Sequence, residues 1–246
     1  MKRGNTYILL IATISLTVFL TLSVLNFLRP YQPSKDAYYS LSSSNEVIYC
    51  FKDGTHIFTP AKGSEIGIVF YPGGLVDPVS YAPLLKRIAT SGVSCFLVEM
   101  PLNLAVLSPN RAKNILKDNP EIRRWILAGH SLGGSMAAKF AYYNQGRVDG
   151  LILLASYPGK DTSLSESGIH VLSIYGSNDK VLDIEALESG RALLPEETTY
   201  LKLRGGNHAQ FGYYGPQRGD GDALITLLEQ QEMTVSAILS FIDNAM

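Results

Sequence analysis

Cysteine is scarce: 246 residues carry two, Cys50 and Cys95, and no C-x-x-C spacing. That excludes a disulfide framework of several bridges and a structural zinc site of the thiolate kind. Both lie in strand-like runs, VIYCF and VSCFLV, and read as small buried apolar side chains. Net charge is equally lacking, at −1. A chain so nearly neutral has no basic field for nucleic acid and no acidic tail, so nucleic acid is not an expected partner. Internal repeats are missing too. What remains is 46% hydrophobic and 17% charged, the composition of one folded domain with an appendage.

The appendage is N-terminal. Tyr7 to Leu28 (YILLIATISLTVFLTLSVLNFL) holds no charge; its 22 or so residues would reach roughly 33 Å as a helix, enough to cross a hydrocarbon core of about 30 Å. The exit, LNFLRPYQPS, is bulky where a signal peptidase needs small residues, so an uncleaved signal-anchor is expected over residues 7–28, following a short cytoplasmic stretch, 1–6. Lys2, Arg3 and the terminal amine outweigh Arg29 and Lys35, which is followed by Asp36. The positive-inside rule then makes the protein single-pass in the cell membrane, its domain extracytoplasmic. Residues 29–45, rich in Pro, Ser and polar groups, read as a linker, leaving 46–246 as the domain.

Within the domain, strand-like and helix-like runs alternate. Glu46–Phe51 and Thr55–Thr59 flank Asp53-Gly54, a hairpin signal. Ile66–Tyr71, Val93–Val98, Trp125–Ala128, Leu151–Ala155, Val171–Tyr175 and Thr199–Leu203 read as buried strands. Helices are expected over Tyr81–Thr90, Asn110–Lys117, Ser131–Tyr143, Ile184–Leu194 and Thr234–Ala245. Strands joined by helices predict an α/β fold with a doubly wound, mostly parallel sheet.

Chemistry is carried first by Gly129-His130-Ser131-Leu132-Gly133, a G-x-S-x-G set between a buried strand and a helix. There a strained turn lifts a serine hydroxyl above the sheet. A serine attacking a carbonyl needs a base within hydrogen-bond reach and an acid to orient that base. In this topology acid and base follow the serine in that order. Of the two later histidines, His170 precedes its strand, at the wrong edge of the sheet. His208 follows the last strand, where sites of open α/β sheets assemble, and is the expected base. Asp179, just past the Val171–Tyr175 strand, is the expected acid; Asp183 is its rival but stands at a helix N-cap. The oxyanion of the tetrahedral intermediate needs two backbone donors: Leu132 N–H, and a second from Tyr71-Pro72-Gly73-Gly74-Leu75, for which Gly74 is chosen and Leu75 is close behind. Met100-Pro101-Leu102-Asn103 with Phe211, Tyr213 and Tyr214 are candidate walls of an acyl or aryl site.

From about residue 64 onward the chain resembles the α/β-hydrolase superfamily, and more narrowly the small bacterial α/β-hydrolase fold family five proteins. FYPGGLVDPVSYAPLL, EMPLNLAVL and GGNHAQFGYYGPQRGDGDA carry the resemblance. It implies Ser131, Asp179 and His208 as a catalytic triad. Pro72 departs from the pattern, standing where many superfamily members carry the histidine of an His-Gly turn. Between Ala155 and Val171 lie about fifteen residues, where lidded relatives insert a helical cap, so no large cap domain is expected.

The function expected is cleavage of a carboxylic ester or thioester through an acyl-enzyme, on a small-molecule or lipid-like substrate, with no metal or organic cofactor. A membrane-tethered acyltransferase or peptidase would use the same parts. A catalytically silent binding protein is the reading from another class.

Overall fold

The computed structural model describes residues 2–245 and, in the first helix, the side chains of residues 10, 12–23 and 26. The chain falls into two units, 1–30 and 31–246.

The first unit is helix α1, Lys2–Phe27. It covers all but the last residue of the stretch expected to span a membrane. Several of that stretch's side chains, Tyr7, Leu25 and Phe27 among them, lie outside the described residues. Among the described residues no helix is long and apolar enough to cross a membrane, so the expected span stands here as a helix and no more.

The second unit begins earlier than expected. Residues 31–44, read from composition as linker, are folded onto the domain. Tyr31 donates its N–H to the Leu75 carbonyl at 2.7 Å and accepts from Asp77 N–H at 3.0 Å, a parallel bridge centred on Val76. Helix α2, Lys35–Tyr39, follows with Ala37 fully buried. Ser34 N–H donates to the Tyr213 carbonyl at 2.6 Å, so the stretch is held by partners far away in sequence.

Then come β1 (Val47–Lys52), β2 (Thr55–Pro60), β3 (Ile66–Tyr71), α3 (Ala82–Thr90), β4 (Ser94–Val98), α4 (Ala112–Asp118), β5 (Arg124–His130), α5 (Leu132–Tyr143), β6 (Gly150–Leu154), β7 (His170–Gly176), α6 (Ile184–Gly190), β8 (Thr199–Leu203) and α7 (Leu227–Ala245). They form one eight-stranded sheet in the order β1-β2-β4-β3-β5-β6-β7-β8. β1 and β2 are antiparallel to their neighbours, and β3 to β8 are parallel. No cap interrupts the stretch between β6 and β7.

The period of two within each central strand splits the core in two layers. Ile68, Phe70, Ile126, Ala128, Ile152 and Leu154 face α3 and α7, where Leu84, Leu85, Ile88, Ile238 and Phe241 meet them. Val69, Tyr71, Leu127, Leu151 and Leu153 face the other side, against Ala137, Ala138 and Phe140 of α5. That is why these strands read as continuous apolar runs.

Some boundaries differ from expectation. The run Ile184–Leu194 is α6 followed by a tighter turn over Arg191–Leu193. Helix α7 starts at Leu227, seven residues before the expected Thr234, because Thr226 and Glu229 close a capping box. Glu229 N–H donates to Thr226 Oγ1 at 3.2 Å, and Thr226 N–H to Glu229 Oε2 at 2.7 Å. Two glutamines of this first turn, Gln230 and Gln231, are fully buried. Both cysteines are free thiols; Cys95 is buried as expected, but Cys50 is exposed.

Candidate active site

Strands β5, β7 and β8 run parallel, so their C-terminal ends share one edge of the sheet. The segments bearing Ser131, Asp179 and His208 all leave from that edge. His170, at the start of β7, sits exposed at the opposite edge.

Ser131 lies between β5 and α5 with φ 52° and ψ −123°, a conformation rarely held by a residue with a side chain. Its N–H donates to the Leu154 carbonyl at 2.9 Å, continuing the sheet pairing. Its carbonyl accepts from Ser156 Oγ at 2.7 Å. The turn is possible because α5 starts in contact with the β3 loop: a Cβ on Gly133 would overlap the carbonyl oxygens of Tyr71 and Pro72.

Asp179 and His208 meet as a buried pair, with Asp179 Oδ2 2.8 Å from His208 Nδ1. Asp179 Oδ1 accepts from the N–H groups of Val181 at 2.9 Å and Leu182 at 2.8 Å. A carboxylate so supplied with donors has one oxygen left for the imidazole and fixes its plane. His208 must carry its hydrogen on Nδ1 to make that bond, which leaves the lone pair on Nε2. Nε2 is buried and makes no hydrogen bond within the protein. Asp183 instead accepts from Ala186 N–H at 3.0 Å as the N-cap of α6.

The loop after β3 separates its three amides, of which Gly74 and Leu75 are the candidate donors. Gly73 N–H donates to Tyr81 Oη at 3.1 Å, and Leu75 N–H to the Asn103 carbonyl at 2.8 Å. Of the three, the amide of Gly74 has no such bond. Gly74 packs on Leu132, whose Cδ2 lies 3.0 Å from where a Cβ would stand. Leu132 is the first residue of α5, so its own N–H has no carbonyl of the same helix to meet.

Four residues that sequence reading passed over hold this edge together. Asp220 accepts from His208 N–H at 3.3 Å and Ala209 N–H at 2.8 Å, and from Lys180 N–H at 3.4 Å, tying the aspartate and histidine loops to each other. Gln230 brackets Asn207, accepting from its N–H at 3.0 Å and donating to its carbonyl at 2.8 Å. Tyr81 and His130 lie beneath, with the His130 ring 4.5 Å from that of His208. Burial and the neighbouring His208 hold the pKa of His130 well below the usual imidazole value, against an opposing pull from the His208 backbone. The signals for Asp220 and Gln230 were a Gly-Asp-Gly-Asp turn and a Thr-x-x-Glu cap, but their partners are distant in sequence.

The expected walls divide. Leu102 is 70% exposed, and its left-handed backbone, like that of Asn103, turns it to solvent at the rim. Phe211 and Tyr214 are buried, Tyr214 between Tyr31 and Tyr81 at 5.6 and 6.5 Å; they are packing, not walls. Among the described residues no group of three or more His, Cys, Asp or Glu side chains gathers as a metal-ligand set. A broad surface depression, lined by His170, Leu172, Tyr200 and Phe241, lies at the amino ends of the strands. The strained serine and the buried Asp–His pair lie at the other edge.

An open α/β sheet of this order with a serine at the sharp β5–α5 turn defines the α/β hydrolases as a class. Residues 67–232 match the alpha/beta hydrolase family, and the chain belongs to it. The structure is similar to the carboxylesterase CesB of Bacillus subtilis, at TM-score 0.60 and 14% identity over 86% of this chain and 96% of that one. It is similar also to a dienelactone hydrolase of Anabaena variabilis, at TM-score 0.61 and 12% identity over 80% and 99%. At such identities the likeness is one of fold. In sequence, 44% of the chain is 27% identical to a protein of Mycobacterium phage D29 named as a non-heme haloperoxidase, and spans only 42% of that relative's length.

Proposed function

We propose that this hydrolase cleaves a carboxylic ester or thioester of a small or lipid-like molecule by acyl transfer. The observation that carries the reading is the buried Asp179–His208 bond of 2.8 Å, which leaves His208 Nε2 as an uncommitted base at the edge where Ser131 stands. In this reading Nε2 takes the Ser131 proton as Oγ attacks the carbonyl, then returns it to the leaving alcohol or thiol. Water repeats the two steps on the acyl-enzyme. The amides of Gly74 and Leu132 hold the oxyanion. No group outside the chain is needed. The likeness to a carboxylesterase fold and the absence of a cap agree with an open ester site.

The test is hydrolysis of a p-nitrophenyl ester series, acetate to palmitate, beside Ser131→Ala. The expected outcome is turnover that falls at least about 10⁴-fold in the variant, with the chain-length optimum measuring the acyl site. Native-level turnover in Ser131→Ala sinks the assignment. A fluorophosphonate that labels Ser131 while no simple ester is cleaved moves the function to an acyltransferase or peptidase; no label at all moves it to a silent binding protein.

We also propose that α1 anchors the protein in the cell membrane, with the domain outside the cytoplasm. Leu10, Ile14, Leu16, Val18, Phe19, Leu20 and Leu22 are each more than half exposed, a cost in water of roughly 1–2 kcal/mol for each such side chain, in proportion to the apolar area left open. The protein should pellet with membranes and resist extraction by alkaline carbonate. Cys50 is exposed and Cys95 buried, so an impermeant thiol reagent should label intact cells through Cys50 alone. Labelling only after lysis would place the domain inside.

A further inference from the structure

We infer that Tyr81 and His130 are positioning residues of this active site: one buried hydroxyl fixes the oxyanion loop through Gly73 and locks His130 as a neutral ring beneath His208. The inference rests on the ester-cleavage reading for its kinetic consequence, though not for its hydrogen-bond geometry.

Tyr81 is fully buried at the end of the short Pro78–Tyr81 turn that leads into α3. A phenol buried there is costly unless its hydroxyl is bonded, and a phenylalanine would fill the same space without that cost. Its oxygen accepts from Gly73 N–H at 3.1 Å and lies 2.8 Å from His130 Nδ1. Burial pushes the phenol's pKa far above its ordinary value, so the hydroxyl keeps its hydrogen. Gly73 N–H is a donor, so among the described residues His130 Nδ1 is the one group bonded to the hydroxyl that can accept its hydrogen, and the buried O–H is donated there. A nitrogen that accepts carries no hydrogen of its own, which places the hydrogen of His130 on Nε2, a buried atom with no hydrogen-bond partner in the protein.

Two consequences reach the reacting groups. First, the oxyanion loop is held on both sides of Gly74, by Gly73 N–H on Tyr81 and by Leu75 N–H on the Asn103 carbonyl. The fit at Gly73 is close: a Cβ there would stand 2.8 Å from both Tyr81 Oη and His130 Nδ1. Second, His208 becomes an imidazolium each time it accepts the serine proton. A cationic ring at 4.5 Å would oppose that charge, whereas a neutral His130 does not.

The test uses the full-length protein and three variants. Tyr81→Phe should lower kcat at least about tenfold while KM changes less than about twofold. Affinity for an arylboronic acid, which mimics the tetrahedral intermediate, should fall in parallel with kcat/KM. His130→Leu should behave alike. His130→Asn, whose amide oxygen can stand where Nδ1 accepts the hydroxyl, should keep kcat within about threefold. A residue that only filled the core would show the reverse: a lowered melting temperature with kcat and boronate affinity kept. Native kcat in Tyr81→Phe, or equal losses in His130→Asn and His130→Leu, overturns the inference. Histidine-selective NMR reads the tautomer without any turnover. A bare Nδ1 and protonated Nε2 at His130, unchanged as pH falls to about 5.5, supports it; a hydrogen on Nδ1, or titration near the ordinary pKa of about 6.5, overturns it. Fluorophosphonate labelling of the parent protein reports separately on the ester-cleavage reading.

Discussion

Two aspartates four residues apart have separate duties. Asp179 takes two backbone N–H donors on one oxygen and His208 on the other, while Asp183 caps α6. Asp179→Asn should therefore cost on the order of 10⁴ in kcat, because an amide can hold the imidazole in the wrong tautomer. Asp183→Ala should leave kcat near the native value and lower stability by about 1 kcal/mol, the loss of an N-cap. Ester kinetics beside urea denaturation of both variants separates the two roles; the opposite pattern would exchange them. The serine and histidine were legible from motif and chain order. The choice between the aspartates rested on position relative to a strand end, and the distances now show which one touches the imidazole. The roles of Asp220, Tyr81 and His130 are not legible in the sequence because their partners lie 8 to 49 residues away.

Elements place these residues, and the tightest joint is α5 against the β3 loop. Gly133→Ala drives a methyl into the carbonyls of Tyr71 and Pro72. Backbone cannot yield there as a flexible side chain could, so a loss above about 3 kcal/mol is expected, read as a collapse in soluble yield or melting temperature. Residues 31–39 form a second joint. Tyr31 pairs with Leu75 and Asp77, Ser34 N–H donates to the Tyr213 carbonyl at 2.6 Å, and the Tyr31 hydroxyl accepts from Arg218 N–H at 3.0 Å. A chain beginning at Arg29 should keep the parent kcat/KM within about twofold. One beginning at Leu41 should lose at least about tenfold, since the loop bearing Gly74 loses its backbone partner. Equal activity would show that the strap is dispensable. Composition gave no hint of this segment: backbone pairing uses no side-chain code, and proline and serine read the same in a turn as in a linker.

For the whole molecule, pH acts through buried histidines. Burial lowers the pKa of both His56 and His130, and Asp77 opposes the shift at His56. Unfolded, each takes a proton near pH 6.5; folded, each refuses it until lower pH. The unfolded state thus binds more protons below about pH 6.5. Stability is complete above that value and falls as pH drops, by up to about 1.4 kcal/mol per pH unit for each group. Urea midpoints should decline from pH 7.5 to about 5.5, and less steeply in His130→Asn, where carboxylate contributions common to both proteins cancel. Equal slopes would show that His130 is not held neutral by the fold. By itself the sequence determined the alternation of strands and helices, the parallel core and the serine turn, because apolar periodicity and turn chemistry are local and survive in one dimension. It also carried the order in which aspartate and histidine follow the serine. Only the tertiary structure decided which aspartate meets His208, which loop amide stays uncommitted, and that residues 31–44 belong to the domain. Those are contacts between distant segments, and their energy comes from burial and hydrogen bonds that exist only once the sheet has brought its ends to one edge.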